Sequence, residues 1–157
     1  MPRVLLLGGP PGVGKSSVIR TLGEIFPDLL ALDADVIQPP GEHVERSVGI
    51  NAVLNALLDR LQSDRPAVIA WVFAREALYQ PFIDGIQSHE VTRLYLTCKP
   101  ALLRQRLAHR GDDDLTTYAL GKQDAILKLD VNTLDTTDLT VEQVAHRVYA
   151  YLPDSGA

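Results

Sequence analysis

Residues 8–17 leave this chain little choice of fold: Gly8-Gly9-Pro10-Pro11-Gly12-Val13-Gly14-Lys15-Ser16-Ser17. They follow a short apolar run, Val4-Leu5-Leu6-Leu7, and precede an amphipathic stretch that begins near Ser16. Gly9, Gly14, Lys15 and Ser16 occupy the fixed places of G-x-x-x-x-G-K-[ST]. A polyphosphate carries several negative charges that must be held without blocking the reacting atom. Backbone N–H groups do this where the chain wraps closely, and glycine permits both the approach and the positive φ angles. A helix that starts there adds unpaired N–H groups and about half a positive charge at its N-terminus. Gly9, Pro10, Pro11, Gly12, Val13, Gly14, Lys15, Ser16 and Ser17 are therefore the expected nucleotide-binding residues. Lys15 is placed to reach the β- and γ-phosphates, and the Ser16 hydroxyl to ligate Mg²⁺. The plainer reading, a Gly/Pro-rich turn between a strand and a helix, explains the turn residues but not the Lys-Ser pair.

The bulk numbers narrow the class. At 157 residues the chain fits one domain with a sizeable core. A hydrophobic fraction of 46% beside 22% charged residues is ordinary for a globular protein. A formal charge of −5 argues against a nucleic-acid-binding surface as the main function. Cys98 is the only cysteine, so no internal disulfide forms, in keeping with a reducing cytoplasm. On an apolar run it reads as a small core residue rather than a nucleophile. The N-terminal apolar run is too short for a signal peptide. Nowhere do about 18 apolar residues follow one another, so no membrane span is expected.

Along the chain, apolar runs alternate with amphipathic stretches. Arg3–Leu7, Leu29–Leu32, Ala67–Phe73, Val91–Leu96 and a weaker Val131–Leu134 read as five strands. Helices are expected from the loop to Phe26, from about Glu42 to Leu61, from Arg75 to about Gln87 (whole or broken, with an interruption at Pro81), over Pro100–His109, from about Leu115 to Lys128, and after Thr140. Pro100 at a first turn and Gly111 just past an end fit the usual asymmetry of helix termini. Thr140-Val141-Glu142-Gln143 resembles a capping box, with Val141, Val144, Ala145, Val148 and Leu152 on one apolar face. Such alternation specifies an α/β fold, a five-stranded parallel sheet with helices on both faces. Ligands then gather beyond the carboxyl ends of the strands.

Asp33 and Asp35 follow the second strand and face that crevice. Two residues apart, they lie on one side of an extended segment. Either acid can organise Mg²⁺ or accept the proton of an attacking hydroxyl, and a helix N-cap or turn acid is the competing reading. The third strand, Val68-Ile69-Ala70-Trp71-Val72-Phe73, has no acid at its end, which leaves the metal to Asp33 or Asp35 and counts against a GTPase or motor. Arg75, Glu76 and Tyr79 follow that strand and are candidates for substrate contact, with a surface salt-bridged helix the equal or better reading of Arg75 and Glu76. Arg104, Arg106 and Arg110 lie on and after the helix that follows the fourth strand. Negative charge spreads over a phosphoryl group in transfer, and an arginine closing on it raises the rate by orders of magnitude. Gly111-Asp112-Asp113-Asp114 suits a short lid, about 110–117.

With these pieces placed, the chain resembles the small-molecule and nucleoside monophosphate-type kinases of the P-loop class, with the shikimate and gluconate kinases nearest in pattern. Leu32-Asp33-Ala34-Asp35 is similar to the D-x-D after their second strand, and Leu32–Pro39 to the gluconate-kinase pattern L-D-G-D-x-L-H-P. Leu103–Arg110 resembles L-x-x-R-L-x-x-R, which Arg106 and Arg110 fit and Arg104 does not. Leu134-Asp135-Thr136-Thr137 with Leu139-Thr140-Val141 resembles their late loop at adenine. The resemblance implies a three-layer P-loop NTPase fold with a short lid. It implies Mg²⁺ with ATP as phosphoryl donor and transfer of the γ-phosphate to a hydroxyl or phosphate of a small-molecule acceptor. Lys15, Asp35 and Arg110 become the catalytic residues, Ser16 and Asp33 the metal residues, Arg106 the residue that packs on adenine, and Asp35, Arg75 and Tyr79 the acceptor contacts. The alternative is a nucleotide-binding ATPase or regulatory module without such an acceptor.

Overall fold

A computed structural model describes residues 3–34, 55–61, 65–70, 84–86, 89–111 and 113–152. The apolar run before the glycine-rich loop forms β1 (Arg3–Gly8), buried from Val4 onward. The loop leads into α1 (Lys15–Ile25), and β2 (Leu30–Asp33) and β3 (Ala67–Ala70) follow. Next come β4 (Glu90–Thr97), α2 (Pro100–Ala108), α3 (Asp113–Leu127), β5 (Thr133–Asp135) and α4 (Val141–Ala150). Among the described residues five strands pair in parallel in the order β2-β3-β1-β4-β5. This is the parallel α/β sheet that the alternating pattern requires.

Residue alternation on the central strand divides the interior in two. Leu5 and Leu7 face a core built with Val18, Ile19 and Leu22 of α1, Leu103 and Leu107 of α2, and Val144, Ala145 and Val148 of α4. Val4 and Leu6 face a second core with Leu32, Leu57, Leu61, Ile69, Ile86 and Ile126. A strand covered on both faces reads as one unbroken apolar run. Each fully buried leucine contributes about 1.5–3 kcal/mol over an exposed one. Helix α3 serves both sides, with Ala119 in the first core and Ile126 in the second.

The connections have local causes. Helix α1 closes where the Phe26 N–H donates to the Leu22 carbonyl and Pro27 blocks continuation. The Arg65 guanidinium gathers the exposed carbonyls that follow, donating to those of Asp28 and Pro27 at 3.0 Å and Leu29 at 3.3 Å. In α4 the Thr140 hydroxyl accepts from the Gln143 N–H at 3.1 Å while the Gln143 amide oxygen accepts from the Thr140 N–H at 2.9 Å. This is the capping box that the sequence announced. Phe26 stacks on Tyr149 at 3.9 Å and ties the end of α1 to α4.

Several boundaries differ from the sequence reading. The last strand is Thr133–Asp135, not Val131–Leu134, because pairing with β4 sets its register at Tyr95↔Thr133. Helix α3 starts at Asp113, two residues early, where Asp113 and Asp114 meet the positive end of its dipole. β2 runs to Asp33 and β4 from Glu90 to Thr97. Of the expected helix 42–61, residues 55–60 are helical and 42–54 lie outside the described residues. Residues 71–73 of the third strand and most of the segment 75–87 also lie outside them. None of the described helices is long and apolar enough to cross a membrane.

Candidate nucleotide site

The site forms where β1 ends, at the centre of the sheet. Gly9, Gly12 and Gly14 carry φ angles of 148°, 83° and 104°, so the loop curls and turns its backbone inward. Gly14 caps α1 in a left-handed conformation, and its carbonyl accepts the Val18 N–H at 3.1 Å. Gly12 has a second reason to be glycine, since a Cβ there would sit 2.7 Å from Leu107 Cδ2 of α2. The loop therefore rests directly on the helix that carries the arginines. The Lys15 ammonium folds over the loop and donates to the carbonyls of Gly9 and Pro10, the latter at 3.4 Å.

The Ser16 hydroxyl donates to Asp33 Oδ2 at 2.7 Å. This contact joins the first turn of α1 to the end of β2, 17 residues later, and brings together the two residues assigned to the metal from sequence. An alcohol oxygen beside a half-buried carboxylate, in the first turn of α1, is the kind of hard-oxygen donor set that Mg²⁺ prefers. Among the described residues no group of three or more His, Cys, Asp or Glu side chains gathers as a metal site.

A cavity of about 520 Å³ runs from the loop to α4. Pro10 to Val18 line its loop end, Arg106 and Arg110 one side, and Thr136, Leu139, Val141 and Val144 the far end. Arg106 Nη1 donates to the Val13 carbonyl at 3.0 Å, which fixes the guanidinium against the loop. Arg110 follows α2 by two residues, at the mouth of the same cavity. Arg104 does not line it. Val141, expected on the buried face of α4, is 43% exposed and lines the far end instead. Asp35, Arg75 and Tyr79 lie outside the described residues.

The far end is held by the chain at 97–99, where β4 ends. The Thr97 carbonyl accepts from both the N–H and the hydroxyl of Thr136, at 2.8 and 3.0 Å. The Lys99 N–H donates to Thr137 Oγ1 at 2.9 Å. Asp135 Oδ1 accepts from the Thr137 hydroxyl and N–H, and these bonds hold its carboxyl below the usual aspartate range. Between them, Gln123 of α3 is 2% exposed and pairs with Cys98 through both amide atoms. Its Oε1 accepts the Cys98 N–H at 2.9 Å and its Nε2 donates to the Cys98 carbonyl at 2.7 Å. Burial pushes the Cys98 thiol up, with Arg106 pulling the other way. A buried neutral thiol agrees with its reading as a core residue. Sequence reasoning passed over Gln123, whose signal is a polar residue inside the stripe Ala119–Gln123–Ile126.

The comparisons with known proteins agree with this geometry. Residues 4–129 match the AAA domain family. The tunicamycin resistance protein of Deinococcus radiodurans superposes with a TM-score of 0.74 at 19% identity, over 96% of this chain and 95% of that one. A gluconokinase from Sinorhizobium meliloti gives 0.66 at 19% identity, over 95% and 90%. The shikimate kinase from Acinetobacter baumannii, solved with shikimate, gives 0.63 at 17% identity, over 95% and 92%. No curated protein matches the sequence significantly. The glycine-rich loop on a central parallel strand and the match over residues 4–129 place the chain in the AAA domain family, with the P-loop NTPase-like fold that the gluconate and shikimate kinases also have.

Proposed function

We propose that the chain is an ATP-dependent kinase that transfers the γ-phosphate to a hydroxyl or phosphate of a small-molecule acceptor. The observation that carries this reading is the 2.7 Å hydrogen bond between Ser16 and Asp33. It supports a metal-side acid at the end of β2, beside the hydroxyl of the loop. That arrangement leaves the segment after β2, with Asp35, and the segment after β3, with Arg75 and Tyr79, for an acceptor. The folds shared with a gluconokinase and a shikimate kinase support the same reading.

Each residue then has one task. The loop N–H groups bind the phosphates, and Lys15 leaves the Gly9 and Pro10 carbonyls for the β- and γ-phosphate oxygens. Ser16 and Asp33 would hold Mg²⁺, which would supply positive charge to offset that of the phosphates. Arg106 and the apolar patch of Leu139 and Val141 hold the base. The acceptor oxygen attacks the γ-phosphorus, the bond to the β–γ bridging oxygen breaks, and ADP leaves. Asp35 orients the acceptor and takes its proton, while Arg110, carried by a lid at about 110–117, neutralises charge on the phosphoryl group in flight. The compartment proposed is the cytoplasm, as the lone cysteine suggests.

The test is ADP release with Mg²⁺-ATP across sugars, sugar acids, nucleosides and nucleotides. One class should raise it at least tenfold above background, and Lys15→Ala should lower that turnover by about a thousandfold. Tight ATP binding without any acceptor dependence would point instead to an ATPase or regulatory module.

A further inference from the structure

Three consecutive residues at the end of β4, Thr97, Cys98 and Lys99, join the parts of the site. Thr97 and Lys99 bind the loop that lines the far end of the cavity. Lys99 also caps α2, since its carbonyl accepts the N–H groups of Leu102 and Leu103 at 3.0 and 3.1 Å. From there α2 carries Arg106 to the Val13 carbonyl and Arg110 to the cavity mouth. Cys98, the middle residue, has its N–H and its carbonyl both bonded to Gln123. Gln123 is 2% exposed, between the residues that α3 gives to the two cores. No apolar side chain of that size could satisfy two buried backbone groups, and a buried group left unbonded is costly.

We propose that Gln123 is a positioning residue of the nucleotide site. Its amide fixes the plane of the Cys98 peptide groups. Through them it fixes the angle at which α2 leaves the sheet and the height of the loop at Thr136–Thr137. Both set the width of the cavity in which the nucleotide sits. Gln123 touches neither end of that cavity, so it acts through Cys98 alone. The inference rests on the nucleotide-site reading but not on any acceptor.

Two variants test it, with Mg²⁺-ATP as the probe in calorimetric titration of the full chain. Gln123→Met keeps the volume and removes both bonds. It should weaken ATP roughly tenfold, which corresponds to about 1.4 kcal/mol. Gln123→Glu supplies the sharper readout. When protonated, the acid accepts from the Cys98 N–H and donates to its carbonyl, as the amide does. When ionised, it has no proton to donate and sets lone pairs against that carbonyl. Burial raises the pKa of such an acid. Affinity relative to wild type at the same pH should therefore approach unity near pH 5 and fall as pH rises. Because the protonated form restores both bonds, this variant is measurable even if Gln123→Met does not fold. A melting temperature that drops while ATP binds both variants as wild type, or a loss in Gln123→Glu that ignores pH, would overturn the inference. A wild-type chain that binds no ATP would overturn the nucleotide-site reading itself, an outcome distinct from variants that match a binding wild type.

Discussion

Gly12 and Gly14 look alike in sequence, and the structure separates them. Both hold φ angles in the left-handed region, 83° and 104°, which costs an L-residue about 1–2 kcal/mol. At Gly14 nothing lies within 4 Å of an added Cβ, so the backbone penalty is the whole cost. At Gly12 the same atom would meet Leu107 Cδ2 at 2.7 Å and Cγ at 2.9 Å, inside a packed core. Overpacking of this kind adds about 1–3 kcal/mol. Gly14→Ala should thus lose about 1 kcal/mol and Gly12→Ala about 3 kcal/mol in urea unfolding. The second variant should also move α2, because Leu107 and Arg106 are adjacent on it. Equal losses would mean that the loop gives way without disturbing the helix beneath it.

Helices and strands show where sequence reasoning succeeds and where it stops. The turn at Gly9–Ser16 was legible because its glycines act locally, and the place of Asp33 because a strand end in a parallel sheet faces the crevice whatever residue stands there. Val141 was misplaced because helical spacing says which residues share a face, not whether that face meets a core or a cleft. The bounds of β5 were misread because a three-residue strand takes its limits from its partner. Gln123 was passed over because its partners, the N–H and carbonyl of Cys98, are 25 residues away. The capping box of α4 is the opposite case, with both of its hydrogen bonds made within four residues. Thr140→Ala removes one acceptor and should cost about 1 kcal/mol. For a chain of this size that is about 2–4 °C in melting temperature. Thr140→Ser, which keeps the hydroxyl, should recover nearly all of it.

Considered as one body, the molecule places its site where the two halves of the sheet diverge. β1 has β3 and β2 on one side and β4 and β5 on the other. The site draws its loop from the end of β1, Asp33 from the end of β2, Arg106 from the helix after β4, and Thr136 from the residue after β5. A nucleotide held there would touch both halves at once. Binding is then linked to global unfolding. A ligand that binds only the folded state stabilises it by about 2.7 kcal/mol at one hundred times its Kd. For about 150 residues, each kcal/mol corresponds to roughly 2–4 °C, so saturating Mg²⁺-ATP should raise the melting temperature by about 5–10 °C. Lys15→Ala should abolish most of the shift, because its ammonium lies over the loop, where the phosphates would sit. Asp33→Asn should keep the shift that ATP gives with EDTA and lose the increment that Mg²⁺ adds, since an amide oxygen still accepts from Ser16 but carries no charge for a metal. If Asp33→Asn instead lost both equally, Asp33 would be holding the loop in place through Ser16 rather than serving the metal.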